Sequence, residues 1–183
     1  MEGGARILQF RHKGEYTRAV FDQAGRVAEC CRAGGAELIV DDRADIALLL
    51  DAGVHVGQDD LLATDARRLL GDGRTIGLST HDSRQFDAAL GEPVDYVAFG
   101  PVFATQSKAN PDTVVGLEGL RAVARRAAGR PVVAIGGITR ANALEVLAAG
   151  ADAVAVIGDM LPENCTRQSL RARMEEWQQL VGK

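Results

Sequence analysis

Asp95-Tyr96-Val97-Ala98-Phe99-Gly100-Pro101-Val102-Phe103-Ala104-Thr105-Gln106-Ser107-Lys108 opens the stretch that decides the reading of this chain, which runs on to Leu120. Residues 96–99 form a short apolar run that ends at Gly100-Pro101, the pattern of a buried strand that stops abruptly. The loop behind it carries Thr105, Gln106, Ser107 and Lys108, three neutral hydrogen-bonding groups and one cation. Such a set suits a phosphate ester. A helix is expected to open near Gly116. Polar loops that leave the C-terminal ends of parallel strands are where α/β folds place their chemistry. An ordinary solvated βα loop has the same composition, so the other loops must decide.

Working outward, the same grammar repeats. Residues 7–10 form an apolar run that exits into Arg11, His12 and Lys13, either an anion site or a solvated edge. A helix over 17–33, with Val20, Ala24, Val27 and Cys31 at helical spacing, ends at Gly34-Gly35. A strand over 38–40 exits at Asp41-Asp42-Arg43. Two adjacent carboxylates repel unless something compensates, although one of them could simply cap the helix expected over 44–50. The next strand, Gly53-Val54-His55-Val56, exits through Gly57-Gln58-Asp59-Asp60. Parallel neighbours bring Asp42 and Asp60 to one rim, within reach of a hard divalent cation such as magnesium. His55 lies inside its strand, where a structural role is the commoner one.

Past a helix over 64–70, a strand over 75–78 leaves through Ser79-Thr80-His81. A hydroxyl there can bind phosphate, cap the helix expected over 83–90, or do both. After the helix expected over 117–128, the strand at 131–135 runs into Gly136-Gly137, and the one at 153–157 into Gly158-Asp159. Glycines at strand exits let backbone N–H groups approach an anion closely. A helix over 167–181, with Leu170, Met174, Trp177 and Val181 inward, closes the chain. Seven strands alternate with helices, without linker or repeat, and every polar cluster sits at a strand's C-terminal end. This predicts one domain over residues 1–183, a TIM-type (β/α)8 barrel that lacks one βα unit, rather than a doubly wound sheet with one switch point.

Composition excludes several classes. The chain has 183 residues, 46% of them hydrophobic and 25% charged, an ordinary globular balance. A net charge of −4 argues against a dominant nucleic-acid surface. No apolar run approaches the ~18 residues of a membrane span, and no signal peptide is recognised. Three cysteines, two of them adjacent, fit a reducing cytoplasm better than a disulfide framework or a zinc site.

Six pieces, in order and with consistent spacing, resemble the thiamine-phosphate synthase family: 9–13 (Gln-Phe-Arg-His-Lys), 41–45 (Asp-Asp-Arg-Ala-Asp), 53–60, 79–81 (Ser-Thr-His), 100–108 and 135–138 (Ile-Gly-Gly-Ile). The resemblance implies a magnesium-dependent transferase that couples hydroxymethylpyrimidine diphosphate with hydroxyethylthiazole phosphate to give thiamine phosphate and pyrophosphate. It implies that Asp42 and Asp60 hold the metal on the diphosphate. Arg11, Lys13 and Lys108 would balance its charge, Ser79 would add a hydrogen bond, and Lys13, Ser79 and Lys108 would be the catalytic groups. Gln9 and Thr105 would help place the substrates, with Asp41 beside them. Thr105, Ser107 and the backbone of Gly137, Ile157 and Gly158 would hold the thiazole phosphate.

The chemistry agrees with that assignment. Expelling pyrophosphate needs a neutralised leaving group, and the pyrimidine can bear the developing positive charge, so no protein nucleophile is required. The competing readings are a thiazole tautomerase, which has no diphosphate to neutralise, and a non-catalytic phosphate-binding barrel. The sequence departs from the family pattern at three places: Asp41 replaces an asparagine, Ser107 replaces a threonine, and Gly158 replaces a common serine. The family's first strand and helix also have no counterpart, and Met1-Glu2-Gly3-Gly4 reads as the end of that helix. The expectation is therefore two unpaired edges, 7–10 and 153–157. Distortion, a second copy in a homodimer, or upstream residues would close them, and the truncated helix end read at residues 2–4 favours upstream residues.

Overall fold

The computed structural model describes residues 2–105 and 112–182. Seven strands form one parallel sheet in sequence order: β1 (Ile7–Phe10), β2 (Glu37–Asp41), β3 (Gly53–Val56), β4 (Ile76–Thr80), β5 (Tyr96–Phe99), β6 (Val132–Ile135) and β7 (Ala153–Ala155). The helices between them are α1 (Arg18–Ala33), α2 (Ala44–Leu50), α3 (Ala63–Leu70), α4 (Ser83–Ala89), α5 (Gly116–Ala124) and α6 (Ala143–Ala148), and α7 (Arg167–Val181) closes the chain. The sheet curls into an incomplete TIM-like barrel. Among the described residues β1 is paired only with β2 and β7 only with β6, so two edges stay open as expected.

Alternation along the strands explains the two faces. Leu38, Val40, Val54, Val56, Ile76, Val97, Phe99, Val132 and Ala134 are buried in the main core, against the helices. The helices answer with small side chains: α1 buries Ala24, Ala28 and Cys31, close to the stripe read from the sequence. The alternate residues, Ile39 and Asp41, His55, Ser79, Tyr96 and Ala98, face the concave side. Gly53 and Gly77 stand among them because a Cβ there would lie 2.6 Å from Ile39 Cδ1 or 2.1 Å from the Tyr96 ring.

Several boundaries move for identifiable reasons. Thr17 caps α1 rather than joining it, its hydroxyl accepting from Val20 N at 3.4 Å. The strand expected over 75–78 runs two residues further, because Ser79 and Thr80 continue the ladder with Ala98 and Phe99. The last strand stops at Ala155 instead of 157, since Gly158–Met160 turn into a short 3-10 segment. Residues 2–4 lie against α7: Glu2 pairs with Arg167, and a Cβ on Gly3 would meet Met174 Cβ at 2.7 Å. Trp177 is the buried residue of α7, with Met174 and Val181 half-buried beside it, as the helical spacing implies.

Candidate active site

The exits of β1 to β4 converge on one sector of the rim. Lys13 leaves β1 and reaches both carboxylates at the end of β2. Its ammonium is hydrogen-bonded to Asp42 and lies 2.9 Å from Asp41 Oδ2. Arg11 Nε approaches the same Asp41 oxygen at 3.4 Å. Asp41 Oδ2 is buried yet has no well-aligned donor, so these contacts are ion pairs of proximity more than of direction. Burial pushes the Asp41 carboxyl above the ordinary aspartate range, and the neighbouring cations only partly offset it. The Lys13 pKa also moves up: partial burial works against its charge, but the bond to Asp42 and the charge of Asp41 beside it outweigh that loss.

The doubled aspartate does not cap α2. Arg43 occupies the N-cap position without a side-chain bond, and its guanidinium instead grips Asp45, with Nε 2.8 Å from Oδ1. Asp42 adopts a left-handed backbone, φ 64°, which aspartate tolerates better than most residues. In that conformation its N–H still bonds His55 O at 2.8 Å, while its carboxylate meets that of Asp60. Asp60 is held by Gly57 N–H at 2.7 Å. Burial raises the Asp60 pKa first, the Gly57 bond opposes the rise, and Asp42 adds to it.

Two hard carboxylates at the exits of neighbouring strands β2 and β3, beside one lysine, fit a divalent cation that takes its remaining ligands from substrate phosphates and water. No group of three or more His, Cys, Asp or Glu side chains suited to a metal occurs among the described residues.

Ser79 is the penultimate residue of β4, and it is not a helix cap. Asp82 caps α4, accepting from Gln85 N at 2.8 Å, and Thr80 is buried with its hydroxyl donating to Ala98 O at 2.9 Å. The Ser79 hydroxyl instead meets His55 Nε2 at 2.7 Å, and its carbonyl accepts from Gln58 Nε2 at 2.6 Å. Gln9 stands exposed on β1, which is consistent with a substrate contact.

The second sector comes from β5 to β7. Thr105 ends the first described part of the chain, and Ser107 and Lys108 lie outside the described residues. The loop that carries Thr105 is strapped to β6 by Val102 N to Ile135 O, 2.8 Å, and Phe103 N to Gly136 O, 3.0 Å. This close approach is the immediate reason for the glycines. A Cβ on Gly100 would lie 2.1 Å from Ile135 O, and one on Gly137, at φ 64°, 2.5 Å from Ala104 O. The glycine pair was expected to bare its amides to an anion; in the structure it first serves to seat the neighbouring loop. Gly158 differs, with open space around the position of a Cβ, and Ile157 is exposed. Arg140 Nε reaches Asp159 Oδ2 at 2.8 Å and ties the β6 and β7 exits together.

Sequence reasoning passed over Tyr96 and Gln58, and treated His55 as structural. Tyr96 read only as the start of an apolar strand. The pairings His55 with Gly77 and Gly77 with Tyr96 create their meeting, and no local motif marks it.

Comparison with known proteins places these sectors in context. The sequence profile described as thiamine monophosphate synthase matches residues 1–160. The thiamine-phosphate synthase of Koribacter versatilis is 48% identical over 170 residues, covering 91% of this chain and 79% of that protein. That of Chloroflexus aurantiacus is 45% identical over 156 residues, covering 85% and 71%. The solved thiamine phosphate pyrophosphorylase of Pyrococcus furiosus superposes with a TM-score of 0.86 at 36% identity, over 98% of this chain and 84% of that one. A profile that spans the four strand exits of the first sector, and relatives this similar, leave one conclusion: the chain belongs to the thiamine monophosphate synthase family.

Proposed function

We propose that this protein joins hydroxymethylpyrimidine diphosphate to hydroxyethylthiazole phosphate, forming the carbon–nitrogen bond of thiamine phosphate and releasing pyrophosphate. The observation that carries the reading is the meeting of Lys13, Asp41, Asp42 and Asp60 at one rim sector beside Ser79. In the free protein Arg11 and Lys13 are engaged with aspartates. Both are exposed enough to turn toward a diphosphate. Charge grows on the leaving oxygens as the carbon–oxygen bond breaks, so cations placed there act more strongly in the transition state than in the ground state. Asp42 and Asp60 would hold a magnesium ion, whose chemistry is to neutralise and polarise a diphosphate leaving group. Ser79 donates a hydrogen bond to it, and Asp41, with Gln9, lines the pyrimidine side. Lys108 adds a further cation, and Thr105, Ser107 and the backbone at Gly137, Ile157 and Gly158 receive the thiazole phosphate. The protein thus orients two substrates, balances charge and excludes water, while the thiazole nitrogen supplies the electron pair.

A tautomerase would have no use for the Lys13–Asp42–Asp60 sector. Incubation with both substrates and magnesium, followed by pyrophosphate release and thiamine phosphate formation, tests the assignment. Turnover of a thiazole carboxylate tautomer without coupling would reject it. A second copy laid on the β1 edge, where Ile7 is 64% exposed, would make a homodimer. Three free cysteines agree with a cytoplasmic location, and no helix among the described residues is long and apolar enough to cross a membrane.

A further inference from the structure

Behind Ser79 the concave face carries two polar side chains, His55 and Tyr96, that the coupling chemistry leaves unused. Tyr96 OH lies 2.9 Å from His55 Nδ1, and His55 Nε2 lies 2.7 Å from Ser79 Oγ. His55 is 7% exposed, and its ring stacks on that of Tyr96 with centroids 5.5 Å apart. The sequence gives up a side chain to permit this. A Cβ at Gly77 would stand 2.1 Å from Tyr96 Cζ and 2.5 Å from His55 Nδ1. His55 is buried and its two partners are partly buried, so the row costs desolvation that an apolar strand centre would not.

The row can be ordered in two ways when His55 is neutral. In one, Ser79 O–H donates to Nε2 and Nδ1–H donates to Tyr96 O. Ser79 then shows only lone pairs to the rim, and these repel an anion. In the other, Tyr96 O–H donates to Nδ1, Nε2–H donates to Ser79 Oγ, and the Ser79 proton is left for the substrate. Diphosphate oxygens only accept, so only the second order serves them.

We propose that His55 and Tyr96 are positioning residues that fix Ser79 as a one-way donor toward the diphosphate, through Tyr96 O–H to His55 Nδ1 and His55 Nε2–H to Ser79 Oγ. No proton leaves any of the three during turnover. The row orients the Ser79 hydroxyl and strengthens its bond as charge builds on the departing pyrophosphate. This rests on the reading above that Ser79 meets the diphosphate.

A double-mutant cycle with a spectroscopic readout tests it. Tyr96→Phe keeps the ring and its packing and removes only the hydroxyl. It is expected to lower kcat roughly three- to tenfold, the contribution of one neutral hydrogen bond, without raising the KM for the thiazole phosphate. In a Ser79→Ala background the same change is expected to have no further effect. The protein has only three histidines, so its imidazole nitrogens can be followed by 15N NMR, with His55 assigned by its loss in His55→Gln. With magnesium and inorganic pyrophosphate added, His55 is expected as the neutral form protonated at Nε2. A His55 protonated at Nδ1 alone in that complex overturns the proposal. So do losses that simply add in the cycle, which mark a structural role. If Ser79→Ala itself leaves kcat and both KM values unchanged, the diphosphate contact fails and the proposal fails with it. An effect of Ser79→Ala together with additive losses rejects the relay alone.

Discussion

The Lys13 ammonium bonds Asp42 across the exits of β1 and β2, so one residue assigned to the substrate's charge rests on one assigned to the metal. Binding a cation and a diphosphate together lets each exchange its partner at little cost, because the charges are re-paired rather than stripped. Lys13→Met should therefore lower kcat/KM for the diphosphate substrate about 10²-fold, with most of the loss in kcat. The KM of the thiazole phosphate should change less than twofold by initial-rate measurement, in keeping with the separate sector at β5 to β7. A raised KM with unchanged kcat would mean that Lys13 binds ground and transition states alike.

Asp42 and Asp60 crowd each other, and the Asp60 pKa is raised by burial and by its neighbour. A carboxyl that binds its proton more tightly when folded favours the folded state at low pH. That advantage is lost as pH rises from the ordinary aspartate value of 3.8 through the higher folded-state value. Asp60→Asn should remove this dependence. The variant should be as stable as the parent or slightly more stable at neutral pH, within about 0.5 kcal/mol. Its coupling activity at limiting magnesium should fall by more than tenfold. Urea unfolding at several pH values, alongside magnesium titrations of activity, reads both effects; near-normal turnover would remove Asp60 from the metal site.

Gly137 and Gly158 separate packing from ligand binding. At Gly137 an added Cβ meets Ala104 O and the backbone has positive φ, so Gly137→Ala should destabilise by about 1–3 kcal/mol. It should also raise the thiazole-phosphate KM as the loop is displaced. At Gly158 there is room, so Gly158→Ala should stay within about 0.5 kcal/mol of the parent. Equal destabilisation of the two by urea would contradict the close approach of the β5 loop to β6.

Ile7 is the exposed apolar residue at the open β1 edge. A lysine on an edge strand discourages pairing with another chain. Ile7→Lys should shift a concentration-dependent sedimentation profile toward monomer, with little change in monomer stability. A profile identical to the parent's at all concentrations would exclude this edge as a contact between copies.

By itself the sequence determined the alternation of strands and helices and the clustering of Lys13, Asp42 and Asp60 at strand exits. Periodicity and glycine punctuation are local, and 7–10, 53–56 and 96–99 carry them within a few residues. The order of the motifs was enough to name the family, and the expected parallel neighbours β2 and β3 put Asp42 and Asp60 on one rim. What needed the tertiary structure was every contact set by register between strands. Ser79 could be read as a cap until Asp82 took that place and the hydroxyl turned to His55. Tyr96 carried no local sign of function, because its meeting with His55 depends on Gly77 standing between them. Gly136 and Gly137 read as anion-binding amides, whereas the approach of Pro101 and Ala104 from another loop explains why a side chain is excluded. The left-handed turn of Asp42 belongs to the same class: the ladder to His55 O holds it, and β3 had to be in place before that bond existed.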